Sequence, residues 1–394
     1  MNILILGGDG YLGWPTAMYF SKKNYQVTVV DNYFRRKSSK KSNVATLYET
    51  PDLINRAKIW YELTGNEIKV VIGDLQEPDL IRSLFNGKIQ YDWSVNHNFS
   101  GIPDTVIHFA EQPSAPFSLI DHNHANFTLK NNLIVTNNLM WSVKDYSRDT
   151  HVIKLGTMGE YGTPNIDIEE GWIEINHKGR ADKFLFPRQA SSIYHTSKIM
   201  DTDLIWFGVR TWDLKVTDLM QGPVYGIETD ESVIDERLDT IFNYDEIFGT
   251  VINRFIIQAL CSHPLTIYGS GNQIRGYLNI KDTLQCIYHA TINPSEKGEL
   301  RIFNQIMETL SVNEIADKIK KVSESMGYKV SISNIKNPRK ESEEHYYNPK
   351  YQGLIDLGVK PNYFTDDVIR GILIKAENYK NNINEDVIFN GIKW

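Results

Sequence analysis

The chain is predicted to fold as a doubly wound α/β protein, a parallel sheet covered by helices on both faces, with a smaller mixed α/β lobe at its C-terminal end. Three observations predict this. Short apolar runs alternate with helix-spaced segments from residue 2 to residue 221, the pattern of strand–helix–strand units with right-handed crossovers. The first run leads directly into glycines at positions 7, 10 and 13. Beyond residue 222 the alternation shortens and mixes.

NILILGG is an apolar strand that ends in glycine, YLGWPTAMYFSKKN has helical spacing, and YQVTVVDN is a second strand. The unit then repeats. EIKVVIGD precedes a helix near 77–86, DTVIHFAE precedes a long helix near 120–146, and THVIKLGT and LKVTDLMQ are further strands. Two connections exceed ordinary lengths, residues 32–66 and 158–190. Loops of that length are usually lids, binding elements or small subdomains. The second carries NHKGRADKFLFPRQ and feeds into a helix beginning near Tyr194, so it is expected to cover a ligand. The later segments are a helix near 248–262, strands PLTIYG and RGYLNI, a helix from 282, strand LRIFNQ, a helix from 311, strand YKVSIS and a helix near 365–380. The expected division is therefore residues 1–221, with the two insertions, and residues 222–394, with segments able to exchange between them.

The chain has 394 residues, 41% of them hydrophobic, and a net charge of −7. A core is affordable in size, and nothing in the charge suggests a nucleic-acid partner. The basic run Arg35, Arg36, Lys37, Lys40, Lys41 is a local exception, read either as a solvated loop or as a clamp for phosphates. Cys261 and Cys286 give neither a disulfide framework nor a metal-ligand cluster. The first strand begins at Asn2 and no apolar run is long enough to span a bilayer. The expected setting is a reducing cytoplasm, without a membrane.

Gly7, Gly10 and Gly13, between a strand and a helix, form a dinucleotide loop: a tight turn, a close backbone approach to pyrophosphate, and close packing of the helix on the sheet. Tyr11 belongs to the same loop. Asp31, followed by Asn32, ends the second strand, where a carboxylate binds both ribose hydroxyls and repels a 2′-phosphate. This favours NAD over NADP; Arg35 and Arg36 argue mildly the other way. Asp74 and Leu75 end the third strand, and Phe109, Ala110 and Glu111 the fourth, along the path such a cofactor takes. Thr157 ends the fifth strand. Tyr194 and Lys198, four residues apart in SSIYHTSK, share a helix face. The ammonium is expected to lower the phenol pKa, making a proton acceptor for a hydroxyl whose hydride goes to a nicotinamide. Asn131, next to Asn132 in the long helix, is a candidate to hold a water near Lys198.

With GGDGYLGW, KLGTMGEYG, YHTSK and RGYLNIKDT in order, the sequence resembles the extended short-chain dehydrogenases that modify nucleotide sugars. HFAEQ-SAP, KLGTMGEYGTPNIDIEEG, DLMQGPVYGIETDE, YDEIFGTVINRF and ESEEHYYN are similar to the branch that builds a sulfonated sugar. The resemblance runs over nearly the whole length. It implies UDP-glucose and sulfite as substrates, recycled NAD, 4-keto and 5,6-ene sugar intermediates, and a homodimer. It also implies sugar-nucleotide contacts at Gln221, Asn253, Arg275, Arg339 and Glu344, with Val224 near the nicotinamide. Thr157-Met158-Gly159 stands where related dehydratases carry Thr-Asp-Glu. Glu160 and His195 are then the candidates for proton work. Pro113 stands where other members of the branch carry arginine. The alternatives are a UDP-sugar 4-epimerase or 4,6-dehydratase, and a non-catalytic NAD-sensing protein.

Overall fold

The computed structural model describes residues 1–41, 44, 46–337 and 346–388. In chain order the elements are β1 (Asn2–Leu6), α1 (Gly13–Lys22), β2 (Gln26–Asp31), α2 (Phe34–Lys41), α3 (Leu53–Thr64), β3 (Ile68–Ile72), α4 (Pro78–Asn86), β4 (Thr105–His108), α5 (His122–Tyr146) and β5 (His151–Thr157). Then come β6 (Trp172–His177), β7 (Arg180–Leu185), α6 (Ile193–Trp212), β8 (Lys215–Gln221), β9 (Val224–Tyr225), α7 (Val251–Leu260), β10 (Leu265–Tyr268), β11 (Ile274–Asn279) and α8 (Ile280–Ile292). The chain closes with β12 (Leu300–Gln305), β13 (Glu308–Ser311), α9 (Val312–Ser325), β14 (Ile332–Ile335), α10 (Gly353–Asp356) and α11 (Asp366–Glu377).

Seven strands form one sheet in the order β12-β8-β5-β4-β1-β2-β3, every pair parallel. The strands are apolar at successive positions because both sheet faces are covered. In β1, Ile3 and Ile5 join one core with Trp14 and Phe20 of α1, Trp60 of α3 and Ile287 of α8. Leu4 and Leu6, on the opposite face, join Leu84 of α4, Val135 and Leu139 of α5 and Val209 of α6. Three layers result, as the sequence predicts. Connections reverse direction between β1 and β4, which opens a crevice at the carboxyl ends of these strands.

A second core of α7, α9 and α11 (Phe255, Ile256, Ile319, Leu373) packs with Leu265 and Ile267 of β10. Smaller sheets β10-β14 and β13-β11-β9 belong to this lobe. The edge strand β12, from beyond residue 222, pairs with β8 in the main sheet.

Both long connections contain regular elements among their described residues. Residues 32–66 contain α2 and α3, the latter capped by the Asp52 carboxylate accepting from the Asn55 N–H. Residues 158–190 contain the antiparallel hairpin β6–β7. Most of its strand positions face solvent, and none lines the central cavity, which takes only Met158, Gly159, Gly162, Thr163 and Gln189 from this connection. The expectation that NHKGRADKFLFPRQ covers a ligand is met only at its end, by Gln189; the ribbon before it pairs with itself and stands outward. No described helix is long and apolar enough to cross a membrane.

Candidate active site

A cavity of about 1030 Å³ lies at the carboxyl ends of the strands, walled on one side by the sheet and on the other by the C-terminal lobe. Gly7, Gly10, Tyr11, Gly13, Asp31, Asn32, Arg35, Asp74, Leu75, Phe109, Ala110, Glu111, Asn131, Gln221 and Val224 all line it. Gly7 has φ +90, and a Cβ there would lie 2.8 Å from the Phe109 carbonyl carbon. A Cβ on Gly13 would come within 2.9 Å of the Gly7 carbonyl carbon, so helix α1 starts hard against the turn. No side chain caps α1 and no acid occupies its first turn, which leaves its positive end for an anion. Asp31 accepts from the N–H groups of Asp9 (2.9 Å) and Tyr33 (2.7 Å). Burial, helped by the Asp9 charge, pushes its carboxyl up to about 6. This loop, uncapped helix and carboxylate fit a dinucleotide with free ribose hydroxyls.

Arg36 does not take part. Its guanidinium is held by Asp9 (Nε–Oδ2 2.5 Å, Nη2–Oδ1 2.9 Å) and by the carbonyls of Thr50 and Pro51, each 2.8 Å away. Arg56, fully buried, meets the same carboxylate at 2.5 Å. The phosphate clamp anticipated at Arg36 is instead an internal tie, because Asp9 in the glycine loop outcompetes solvent for it. Arg35 does reach the cavity, but it bonds the Asn243 side-chain oxygen at 2.7 Å and lies over the Phe248 ring, 3.5 Å from its centroid. Burial brings its pKa down to about 10.

At the other end Thr157, Tyr194 and His195 converge on the cavity. Ser192 caps α6, its hydroxyl accepting from the His195 N–H at 3.1 Å, which places Tyr194 in the first turn with its N–H donated to Ser118. The Tyr194 and His195 rings lie 5.1 Å apart. Hydroxyls of Ser191 and Ser192 sit 3.2 and 3.1 Å from His195 Nδ1. A Cβ on Gly159 would overlap the imidazole, 2.5 Å from Cδ2. Glycine in the TMGE turn is thus what admits His195.

Lys198 does not serve as expected. Its ammonium is paired with the Glu111 carboxylate, and Tyr194 is pushed up from the ordinary phenol value, first by burial and then by the Glu111 and Glu160 charges. The lowered phenol anticipated from the spacing is not present in this arrangement, because the ring is buried and Glu111 both takes up the ammonium and adds its own charge. Glu160 is also corrected. It is completely buried, closes a capping box with Thr157, and meets Lys154, Arg188 and Thr202. It lines no part of the cavity and acts as scaffold under the Thr157 turn. Asn132, beside Asn131, is buried and bonds Ser197 at 2.9 Å and the Gln112 N–H at 2.8 Å.

The C-terminal lobe presents Arg275, Arg254, Tyr268, Glu246, Thr250 and Phe248. Asn253 is elsewhere: its side chain accepts from the Gly226 N–H at 3.2 Å within the core. Its neighbour Arg254 faces the cavity, 3.2 Å from the Tyr268 hydroxyl. Helix phase decides this, since adjacent residues point about 100° apart. Gln221 donates to the Gln305 side chain at 3.1 Å. Arg339 and Glu344 lie outside the described residues. Arg254 and Gln273 are lining residues that the sequence reading missed; only the helix phase of RF in VINRF could have signalled Arg254.

The NAD dependent epimerase/dehydratase family matches residues 3–304. The chain is 44% identical over 393 residues to a chloroplastic UDP-sulfoquinovose synthase of Spinacia oleracea, covering all of this chain and 79% of that protein. It is 37% identical over 397 residues to a UDP-sulfoquinovose synthase of Sulfolobus acidocaldarius, covering all of this chain and 98% of that one. Among solved structures, a UDP-glucuronic acid 4-epimerase from Bacillus cereus, complexed with UDP-glucuronic acid and NAD, superposes with TM-score 0.68 at 18% identity, over 98% of this chain and 100% of that one. This last likeness speaks for the fold alone.

Proposed function

The chain belongs to the NAD dependent epimerase/dehydratase family, and we propose that it converts UDP-glucose and sulfite to UDP-sulfoquinovose. The observation that carries this reading is the meeting of Thr157, Tyr194 and an imidazole admitted by Gly159, in a cavity with a dinucleotide loop at one end and arginines at the other. Full-length identity of 44% and 37% to two enzymes of that name supports it.

Arg254, Arg275 and the start of α7, whose cap residue Thr250 makes no side-chain bond to the helix, suit a diphosphate; arginine forks match phosphate oxygens. Bound NAD supplies a hydride acceptor that gives the hydride back within one cycle. Tyr194 removes the proton from the sugar 4-hydroxyl, with Thr157 donating to the same oxygen as it becomes a carbonyl. The ketone acidifies the carbon-5 proton. His195 takes that proton and delivers one to the departing carbon-6 oxygen, releasing water. Sulfite adds at carbon 6 and a proton returns to carbon 5; Tyr194 finally returns its proton to the 4-oxygen. The sum is UDP-glucose plus hydrogen sulfite to UDP-sulfoquinovose plus water.

A homodimer is part of this reading. The outer faces of the paired helices α5 and α6 leave Ile134, Trp141, Met200 and Phe207 exposed, each pair seven residues apart and so on one helix face. Both cysteines are free thiols, in keeping with a reducing cytoplasm.

The NAD-loaded protein incubated with UDP-glucose and sulfite yields a sulfonated nucleotide sugar by mass spectrometry, and Tyr194→Phe lowers the rate about 10³-fold. Formation of UDP-galactose, with no sulfonate under any sulfite supply, sinks the reading in favour of epimerisation.

A further inference from the structure

Beneath Tyr194 lies a group of buried carboxyls that the proposed chemistry does not use. Glu111, three residues past β4, pairs with Lys198 through one oxygen. Its other oxygen receives no hydrogen bond. Asp201 follows Lys198 by three residues and so shares its helix face. It is fully buried, and neither of its oxygens receives a donor from any described N–H or O–H. Its carboxyl instead meets that of Glu111. Two carboxyl groups in contact, with oxygens unserved by any other donor, are satisfied when one proton lies between them.

The remaining groups facing this pair fit that count. From β4, His108 Nε2 stands 3.5 Å from Glu111, bonded also to Thr136 of α5. Burial brings His108 down to about 4, so it is neutral. From β5 comes Lys154, already shared between Asp218 and Glu160. From α6 come Tyr194 and Lys198. Burial and the Glu111 charge push Asp201 well above the usual carboxylate range, while the Lys198 and Lys154 charges overcome burial to hold Glu111 below it.

We propose that Glu111 and Asp201 hold a single shared proton beneath Lys198, and that this pair positions and neutralises the lysine, setting the charge that Tyr194 faces. Glu111 is the counter-ion of Lys198, and Asp201 donates to it and fixes it. Both are positioning residues. Tyr194 therefore faces the Glu111 charge and not a free ammonium. Removing the Glu111 charge therefore favours the phenolate, and the pH at which Tyr194 gives up its proton falls.

The inference rests on the sugar-redox reading only for its kinetic arm. The first arm needs no substrate: infrared spectra of the NAD-loaded protein at neutral pH show the stretch of a buried carboxylic acid, and the band is lost in both Asp201→Asn and Glu111→Gln. In the second arm, the acid limb of the pH profile for NADH formation from UDP-glucose without sulfite moves down by about one pH unit in Glu111→Gln. Asp201→Asn, which keeps a neutral donor, moves it by far less. A wild-type protein without the acid band, or a Glu111→Gln profile that coincides with wild type, overturns the proposal. A band present with no sugar chemistry at all would count against the function and leave the shared proton standing.

Discussion

Two buried ion clusters stand at opposite ends of the same cavity, and they are built differently. Under the glycine loop, one carboxylate, Asp9, faces two guanidinium groups, Arg36 and Arg56. Under the reacting residues, carboxyls Glu111 and Asp201 face one ammonium, Lys198. A guanidinium stays charged at any working pH and binds through a rigid fork, so the two arginines of the first cluster hold the shape of the loop. The second has carboxyls in excess in a dry site, where one must keep its proton. One end of the cavity rests on a fixed internal tie under the glycine loop, and the other holds a proton that can be moved.

The largest test of that contrast is on the tie. Asp9→Ala strands two buried or half-buried cations, and breaking a buried pair from one side costs about 3 kcal/mol or more. Denaturant unfolding at neutral pH should show a loss of that size. A loss under 1 kcal/mol would make the tie ornamental.

Gly159→Ala tests the reacting end more gently. The new methyl overlaps the His195 ring, which the Ser191 and Ser192 hydroxyls hold on its other side. Turnover should fall about ten- to a hundredfold as the imidazole is displaced, with the melting temperature little changed and NAD still bound. Unaltered turnover would remove His195 from the proton work.

A smaller effect separates the two ends by pH. Asp31 titrates near 6 because burial and Asp9 raise it. A proton on Asp31 must leave before the carboxylate can accept ribose hydroxyls. NAD affinity, measured by calorimetry, should be flat above about pH 6 and weaken towards tenfold per pH unit below it. A constant affinity between pH 5 and 7 would mean that the ribose does not meet this carboxylate.

The same contrast explains what could be read from the sequence. The sheet, its strand ends and the glycine loop were legible because short continuous apolar runs and turn glycines act locally. Gly7, Asp31, Thr157 and Tyr194 fell at strand ends or a helix start and reached the cavity accordingly. Charged partners were not legible. Nothing local says that Arg36 returns to Asp9, that Glu111 captures Lys198 across 87 positions, or that Glu160 turns inward to cap its own turn. Asn253 was misplaced by one position against Arg254, an error of helix phase. The stretch NHKGRADKFLFPRQ reads as a cover because its composition, polar and aromatic, is that of a ligand loop, yet most of it forms an outward ribbon and only Gln189 reaches the cavity.

The most direct measurement uses UDP-glucose carrying deuterium at sugar carbon 4, given with sulfite to the NAD-loaded protein. If one enclosed site takes the hydride and gives it back, the product is UDP-sulfoquinovose that keeps the deuterium at carbon 4, with no NADH released. A product that has lost the label, or an unsulfonated nucleotide sugar as the sole product, would contradict the account.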